Sequence, residues 1–155
     1  MQKTIKTAKE LVAERTQGTI AVGPNDSVMA VLQAMLDKHV SGVVVLDNGQ
    51  MVGIVTERDY ALKVELQGKT AKDTRAHEIM ITKVFYAEAG DSSERCMSIM
   101  HNQGVRHLPV LEQGKVIGML SVRDVLEEVL AEDEHLIKDL EHERIEYVGD
   151  MGGNY

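Results

Sequence analysis

Apolar and polar positions follow the same order twice along this chain. Residues 39–59 and 104–124 align without a gap at an offset of 65, and seven of the 21 aligned positions are identical. In each copy a short apolar segment precedes an amphipathic helix pattern, two apolar runs then flank a turn that contains glycine, and a second helix pattern follows. The sequence therefore predicts a duplicated β-α-β-β-α unit.

The elements of the two copies correspond one to one. The predicted strands are Thr19–Val22, Val43–Leu46, Met51–Val55, Val84–Ala87, Leu108–Leu111 and Val116–Leu120. Asp26-Ser27 and Asp91-Ser92 offer good N-cap residues for the first helix of each copy, and the second helices begin near Arg58 and Arg123. Two flanking helices are predicted over Ile5–Arg15 and Val122–Tyr147.

The predicted fold class is α/β (α+β), with two repeats packed through their sheets. A unit of about 50 residues buries too little apolar surface to fold alone, so we expect the two copies to share one core. The polar segment Gln67–Thr74 is the expected joint. We therefore divide the chain into residues 1–74 (first repeat with the N-terminal helix), 75–132 (second repeat) and 133–155 (acidic helix extension and tail).

Composition narrows the class of protein. With 43% hydrophobic and 27% charged residues among 155, the chain has a normal soluble balance. The net charge of −8 and the five aromatic residues argue against binding to nucleic acid or an anionic membrane. The single cysteine excludes a multi-cysteine metal site, and no metal is predicted. No apolar stretch has the length of a signal peptide or a membrane span, so we expect a cytoplasmic protein.

The acidity is confined to the end of the chain. Residues 125–155 hold ten acidic and two basic residues, which accounts for the whole net charge. We interpret this region as a solvated face. The repeated body is neutral, and its basic residues can receive an anionic ligand.

The sharpest chemical signal is a Gly-x-x-Ser/Thr-x-x-Asp motif that occurs in both copies. It lies where the third strand passes into a helix, and a helix N-terminus favours an anion. The hydroxyl can donate to a phosphate, and the carboxylate one turn later can accept from both hydroxyls of a ribose. The candidate residues are Thr56, Arg58 and Asp59 in the first copy and Ser121, Arg123 and Asp124 in the second.

A structural reading of the same motif competes with this one. Ser/Thr-x-x-Asp at a helix start also resembles a capping box, in which both side chains bond to the helix's own N–H groups. Since both copies retain the glycine, the hydroxyl, the arginine and the aspartate while neighbouring residues differ, we favour a functional use. The two roles can coexist.

Two further signals lie on the strands. Arg106 and His107 enter a strand of the second copy and suit a phosphate, although a solvated loop explains them equally well. Ser41 and Gly42 occupy the matching positions, and the nearby Lys38 and His39 can compensate, so we expect two clefts of different affinity. Phe85 and Tyr86, opposite Ile20 and Ala21, could cover an adenine or pack in the core.

Signals for catalysis are weak. No nucleophile–base pair or metal-ligand spacing is present in the sequence, and Cys96 falls on an apolar helix face, which favours a buried structural thiol. We predict a protein that is not an enzyme.

The duplicated unit and its motif resemble the tandem cystathionine-β-synthase (CBS) domain pair, also called a Bateman module. The residues that carry the resemblance are GQMVGIVTERD (49–59) and RHLPVLEQGKVIGMLSVRD (106–124), and it extends over about residues 10–132. One departure is that the usual proline of the second strand is present as Pro109 but is Val44 in the first copy.

The resemblance implies regulatory binding of an adenine-containing ligand: AMP first, or ADP, ATP, NAD(H) or S-adenosylmethionine. It implies that Asp59 and Asp124 hold ribose hydroxyls and that Thr56, Ser121, Arg106 and His107 lie near phosphate. The base would be lined by residues of the first two strands in each copy, namely Ile20, Ala21, Phe85, Tyr86, Gly42, Val43, Leu108 and Pro109. It also implies a flat homodimer.

Two hypotheses follow. The first is a nucleotide sensor without an attached enzyme, which signals by conformational change to a protein effector that the sequence does not identify. The second is a structural dimerisation module with empty clefts, in which both aspartates only cap helices.

Overall fold

The computed structural model describes residues 5–133, which form two three-stranded sheets surrounded by helices. The first half contains the helices α1 (Ala8–Arg15), α2 (Val28–Lys38) and α3 (Glu57–Tyr60, continued by a π-helical turn over Ala61–Glu65) and the strands β1 (Ala21–Val22), β2 (Gly42–Asp47) and β3 (Gln50–Thr56). The second half contains the helices α4 (Ala76–Ile79), α5 (Ser93–Gln103) and α6 (Val122–Glu132) and the strands β4 (Ala87–Glu88), β5 (His107–Glu112) and β6 (Lys115–Ser121). The predicted α/β class is confirmed.

The two sheets are built alike. Their strand orders are β1-β2-β3 and β4-β5-β6, each with a parallel first pair and an antiparallel second pair. Each hairpin turns on two residues with positive φ, Asn48 and Gly49 in one sheet and Gln113 and Gly114 in the other. Such turns match the twist of the flanking strands. The predicted hairpins are therefore confirmed.

The first strand of each copy is shorter than predicted. Only two residues join each ladder, Ala21–Val22 and Ala87–Glu88. Upstream of β1 the chain crosses toward the second half, where Thr19 Oγ1 donates to the Val116 carbonyl oxygen at 3.4 Å. Thr19 therefore lies outside the sheet, against the second half.

The last helix is also shorter than predicted. The helix expected over Val122–Tyr147 ends at Glu132, because Asp133 has extended backbone angles. The rest of the predicted helix and the tail lie outside the described residues. Within residues 5–133 no helix has the length and apolar character that a membrane crossing requires.

Residues 5–133 contain two hydrophobic cores, which corrects the expectation of one shared core. One core lies beneath β1-β2-β3 and the other beneath β4-β5-β6. The sheets contact each other through β3 and β6. Each sheet buries its apolar face against helices, so little apolar area remains for a common core.

The short helix before each repeat packs on the other repeat. Ala8, Leu11 and Val12 of α1 lie in the core of the second sheet, whereas Ala76 and Ile79 of α4 lie in the core of the first. Equivalent backbone bonds fix both exchanges: Ala8 N donates to Asp91 O at 2.7 Å, and Ala76 N donates to Asp26 O at 2.8 Å. Packing thus crosses the boundary at residues 74/75 that we placed in the sequence.

Cys96 lies fully buried on α5, as predicted for a structural thiol. Burial, aided by the charge of Asp91, raises the pKa of this thiol to about 11. We expect alkylation by iodoacetamide at pH 8 to be at least about 100-fold slower in the native protein than in urea, because little thiolate is present and access is closed. Equal labelling rates, followed by mass spectrometry, would contradict this prediction.

Candidate nucleotide site

A cleft of about 900 Å³ lies between the two halves of the chain. The first half contributes the segment before β1, the end of α2 and the start of β2. The second half contributes the start of β5, the end of β6 and the first turn of α6. Because both repeats supply walls, a ligand held here would contact both of them.

The motif of the second repeat lies on the wall of this cleft. Ser121 caps α6, and Asp124 Oδ2 accepts from Ser121 N and Ser121 Oγ, both at 2.8 Å. In return, Asp124 N donates to Ser121 Oγ at 3.2 Å. The capping box is therefore real, and it uses one carboxylate oxygen. Across residues 5–133, Asp124 Oδ1 has no hydrogen-bond or ion-pair partner, which leaves it open to a ligand hydroxyl.

The motif of the first repeat forms the same box in a different environment. Asp59 Oδ2 accepts from Thr56 N at 2.8 Å and from Thr56 Oγ1 at 2.9 Å. Its other oxygen, Oδ1, lies 2.9 Å from Lys63 Nζ. Asp59 is 5% exposed and, with Thr56 and Arg58, does not line the cleft. Both oxygens of this carboxylate are engaged.

The expected phosphate site at the helix N-terminus is largely filled by the protein itself. Val122 N donates to Arg106 O at 2.8 Å, and the N–H groups of Ser121 and Asp124 bond within the capping box. The Ser121 hydroxyl donates to Asp124. Three N–H groups at this helix start are thus already bonded, so an anion would depend mainly on side chains.

Basic side chains at the cleft differ in whether they are already paired with an acidic side chain. Arg123 donates to Glu127 at 2.9 Å, and Arg15 is bound to both Glu127 and Glu128. Arg106 and Lys38 are exposed and have no side-chain partner within residues 5–133. An incoming anion could therefore bind Arg106 and Lys38 without displacing a side chain of the described residues.

His107 joins the two repeats at the floor of the cleft. Its Nε2 lies 2.9 Å from Ser41 Oγ. Gly42 occupies the position equivalent to His107, and a Cβ on Gly42 would lie 2.8 Å from His107 Cδ2. The glycine therefore makes room for the imidazole. Burial lowers the pKa of His107, which favours the neutral ring.

The lowered pKa predicts a pH-dependent stability. The unfolded chain takes up a proton at His107 as the pH falls through about 6.5, whereas the folded chain resists it, so stability is lost on acidification. We expect the free energy of unfolding in urea to fall more between pH 7.5 and pH 5.5 for the wild type than for His107→Asn. His101→Asn, which removes an exposed histidine, is the control. Identical pH profiles of the wild type and His107→Asn would contradict the prediction.

Many of the predicted site residues meet at this one cleft. Those that line it are Ile20, Lys38, His39, Ser41, Gly42, Arg106, His107, Ser121, Arg123 and Asp124. Others lie elsewhere: Val43 and Leu108 are fully buried in the two cores, Pro109 is buried in β5, and Tyr86 is 46% exposed away from the cleft. Ala21 lines a smaller adjoining cavity of about 350 Å³. The side chains of Val43 and Leu108 therefore cannot form the expected wall.

Sequence reasoning missed the apolar side of the cleft. Leu32, Met35 and Leu36 of α2 face it together with Met119 of β6. Leu36 is 67% exposed, and it lies outside the buried stripe of α2. An exposed leucine beside a predicted stripe was the available signal. Glu57 and Arg15 were also missed, since neither lies at a motif position that both copies retain.

Comparison with known proteins places this architecture in a family. The CBS domain family model matches residues 8–64 and 76–131. A mitochondrial CBS domain-containing protein of Arabidopsis thaliana is 33% identical over 113 residues, which cover 70% of this chain and 55% of that protein. This chain thus spans about half the length of that relative.

Solved structures agree with the match. A protein with CBS domains from Burkholderia ambifaria shares 38% identity and a TM-score of 0.77, covering 83% of this chain and 96% of the other. A hexameric CBS-CP12 protein from bloom-forming cyanobacteria shares 25% identity and a TM-score of 0.70, covering 80% and 68%. The duplicated sheets, the repeated motif and these matches together show that the chain belongs to the CBS domain family.

Proposed function

We propose that this chain is a non-catalytic regulatory module that binds an adenosine nucleotide, AMP first, in the cleft at Asp124. One observation carries the proposal: Asp124 Oδ1, Arg106 and Lys38 lie in one cleft, and none of the three has a side-chain partner among residues 5–133. A carboxylate oxygen accepts ribose hydroxyls, and guanidinium and ammonium groups bind phosphate. A volume of about 900 Å³ is within the usual range of small-molecule sites.

The apolar wall supports a nucleotide over a simple anion. Ile20, Leu32, Met35 and Leu36 supply apolar surface on the first-repeat side, away from Asp124 on α6. A planar base is stabilised by such surface because apolar area leaves water on binding. Inorganic phosphate alone would leave this wall unused.

Binding would act on the relation between the repeats. The ligand would contact Lys38 on one side and Arg106 and Asp124 on the other, so its affinity depends on how the halves are placed. We propose that this dependence carries the signal to a protein effector.

Calorimetry with AMP, ADP, ATP, NAD(H) and S-adenosylmethionine tests the proposal. We expect AMP to bind the wild type and Asp124→Asn to weaken binding at least about tenfold, because hydrogen bonds to a charged group are lost. Asp47→Asn, an exposed carboxylate at the end of β2, is the matched control. The proposal is wrong if none of the five ligands binds, or if Asp124→Asn binds as the wild type does.

A second candidate function is a self-associating scaffold that needs no nucleotide. Both capping boxes are complete without a ligand, and a structural relative is hexameric. Several large apolar side chains are exposed on α2, α6 and the π-helical turn with the residue after it, namely Met29, Leu36, Leu62, Leu66 and Leu126. We propose a homodimer in either case. Light scattering after size exclusion would give twice the chain mass, and a monomer at micromolar concentration would exclude it.

A further inference from the structure

We propose that the two repeats differ in nucleotide binding. The chain binds one nucleotide at Asp124, and Lys63 prevents binding at the equivalent residue, Asp59. This inference rests on the proposed function. It assigns Lys63 as the residue that decides how many nucleotides the module takes.

The carboxylate of Asp59 has no free oxygen. Thr56 occupies Oδ2, and Lys63 occupies Oδ1 at 2.9 Å. Lys63 is held at a second point, since its Nζ donates to the Ile79 carbonyl oxygen at 2.8 Å. A ribose at Asp59 would have to displace this ammonium from a carboxylate that is 5% exposed, and an unpaired charge at a buried site is costly.

The second repeat has no lysine at the position equivalent to Lys63. Position 128 is equivalent to position 63, and it carries a glutamate. Glu128 turns away from Asp124 to Arg15, 3.0 Å away, and to Lys6, 3.5 Å away. Among residues 5–133, Asp124 Oδ1 therefore has no partner, whereas Asp59 Oδ1 is paired with Lys63.

The cations follow the same asymmetry. The Asp124 cleft has Arg106 and Lys38 on its walls. At the offset of 65, the residues that would serve a cleft at Asp59 are Ser41 and Gln103, which carry no charge. A phosphate near Asp59 would thus meet fewer positively charged side chains. The pairing of the two carboxylates and the placement of the cations therefore favour the same single site, at Asp124.

Calorimetric titration with AMP gives the stoichiometry directly. We expect one AMP per chain for the wild type and for Asp59→Asn, with affinities within about threefold of each other, and an affinity at least about tenfold weaker for Asp124→Asn. Lys63→Met keeps the apolar stem and removes the charge, and we expect it to admit a second, weaker AMP. Lys72→Ala, an exposed lysine outside both motifs, is the control.

Each outcome decides a different claim. Two equivalent AMP molecules per wild-type chain, or a tenfold loss in Asp59→Asn, would overturn the single site. One AMP in Lys63→Met would overturn the role of Lys63. No AMP in any protein would refute the proposed function and this inference with it. Asp59→Asn removes part of a buried capping box, so circular dichroism must first show that this variant is folded. If it is unfolded, NMR of the wild type decides between the two positions. We expect added AMP to shift the amide signal of Ser121 and to leave that of Thr56 unchanged.

Discussion

Replacing Gly118 with alanine is expected to destabilise the protein by about 2–3 kcal/mol, because the new methyl group has no room. A Cβ at this position would overlap Val12 Cγ1 and lie 3.2 Å from Val12 Cγ2. Val12 is 5% exposed on α1 and is held in the core of the second sheet. It cannot turn outward without opening that core, so α1 must shift as a whole.

Urea unfolding of a double-mutant cycle measures this effect. Val12→Ala alone leaves a cavity and is expected to destabilise the protein. In its presence, however, Gly118→Ala should lower the free energy of unfolding by more than about 1 kcal/mol less than it does in the wild type. Gly90→Ala is the matched control, since a Cβ there meets nothing within 4 Å and its φ is not positive. Additive losses in the double variant would mean that the overlap with Val12 is not the cause.

This result would change how the repeated motif is interpreted. In the sequence, the repeated glycine, together with the hydroxyl and the aspartate, favours ligand binding. In the structure, Gly118 is required by α1, and Gly53 by Ile81, whose carbonyl oxygen would lie 2.7 Å from a Cβ. Part of the repetition that favoured function therefore comes from helix–sheet packing.

Most helices and turns could be predicted from interactions between residues close in sequence. The placement of the helices on the sheets depends on long-range packing. The helix caps and the two hairpin turns depend on neighbours within a few residues. The sequence predicted the turns and narrowed each cap to two adjacent residues, of which Ser27 and Ser92 cap the helices in the structure. The exchange of α1 and α4 between the halves depends on contacts about 80 residues or 50 residues apart. No periodicity in the chain reports such contacts.

The site shows the same limit. The motif identified Asp59 and Asp124 as equivalent, and their capping boxes are equivalent. Their difference depends on the residue four positions later, Lys63 or Glu128, and on whether that side chain turns toward the carboxylate or away from it. Spacing alone assigned no role to either residue. The cleft also combines the segment before the first strand of one repeat with the motif of the other, which an alignment of the copies does not reveal.

Glu128→Ala is expected to destabilise the protein by about 2–3 kcal/mol, because it breaks a buried ion pair between α6 and α1. Glu128 is 4% exposed, and its Oε2 lies 3.0 Å from Arg15 Nη2. Arg15 Nε is buried and has no hydrogen-bond partner among residues 5–133, so this guanidinium is already incompletely satisfied. Of the two ion pairs that Arg15 makes with residues 5–133, removing Glu128 would leave the one with Glu127, at 2.9 Å.

Glu127→Ala is the matched control for that measurement. Glu127 also pairs with Arg15, but its side chain is 47% exposed, and exposed pairs contribute below about 1 kcal/mol. The ratio of the two losses in urea unfolding therefore separates burial from pairing. If both variants lose the same free energy, Arg15 is stabilised by charge in general, and the contact between α1 and α6 does not depend on the buried glutamate. If only Glu128→Ala is strongly destabilised, Glu128, which occupies the position equivalent to Lys63, is the residue that holds α1 against the second repeat.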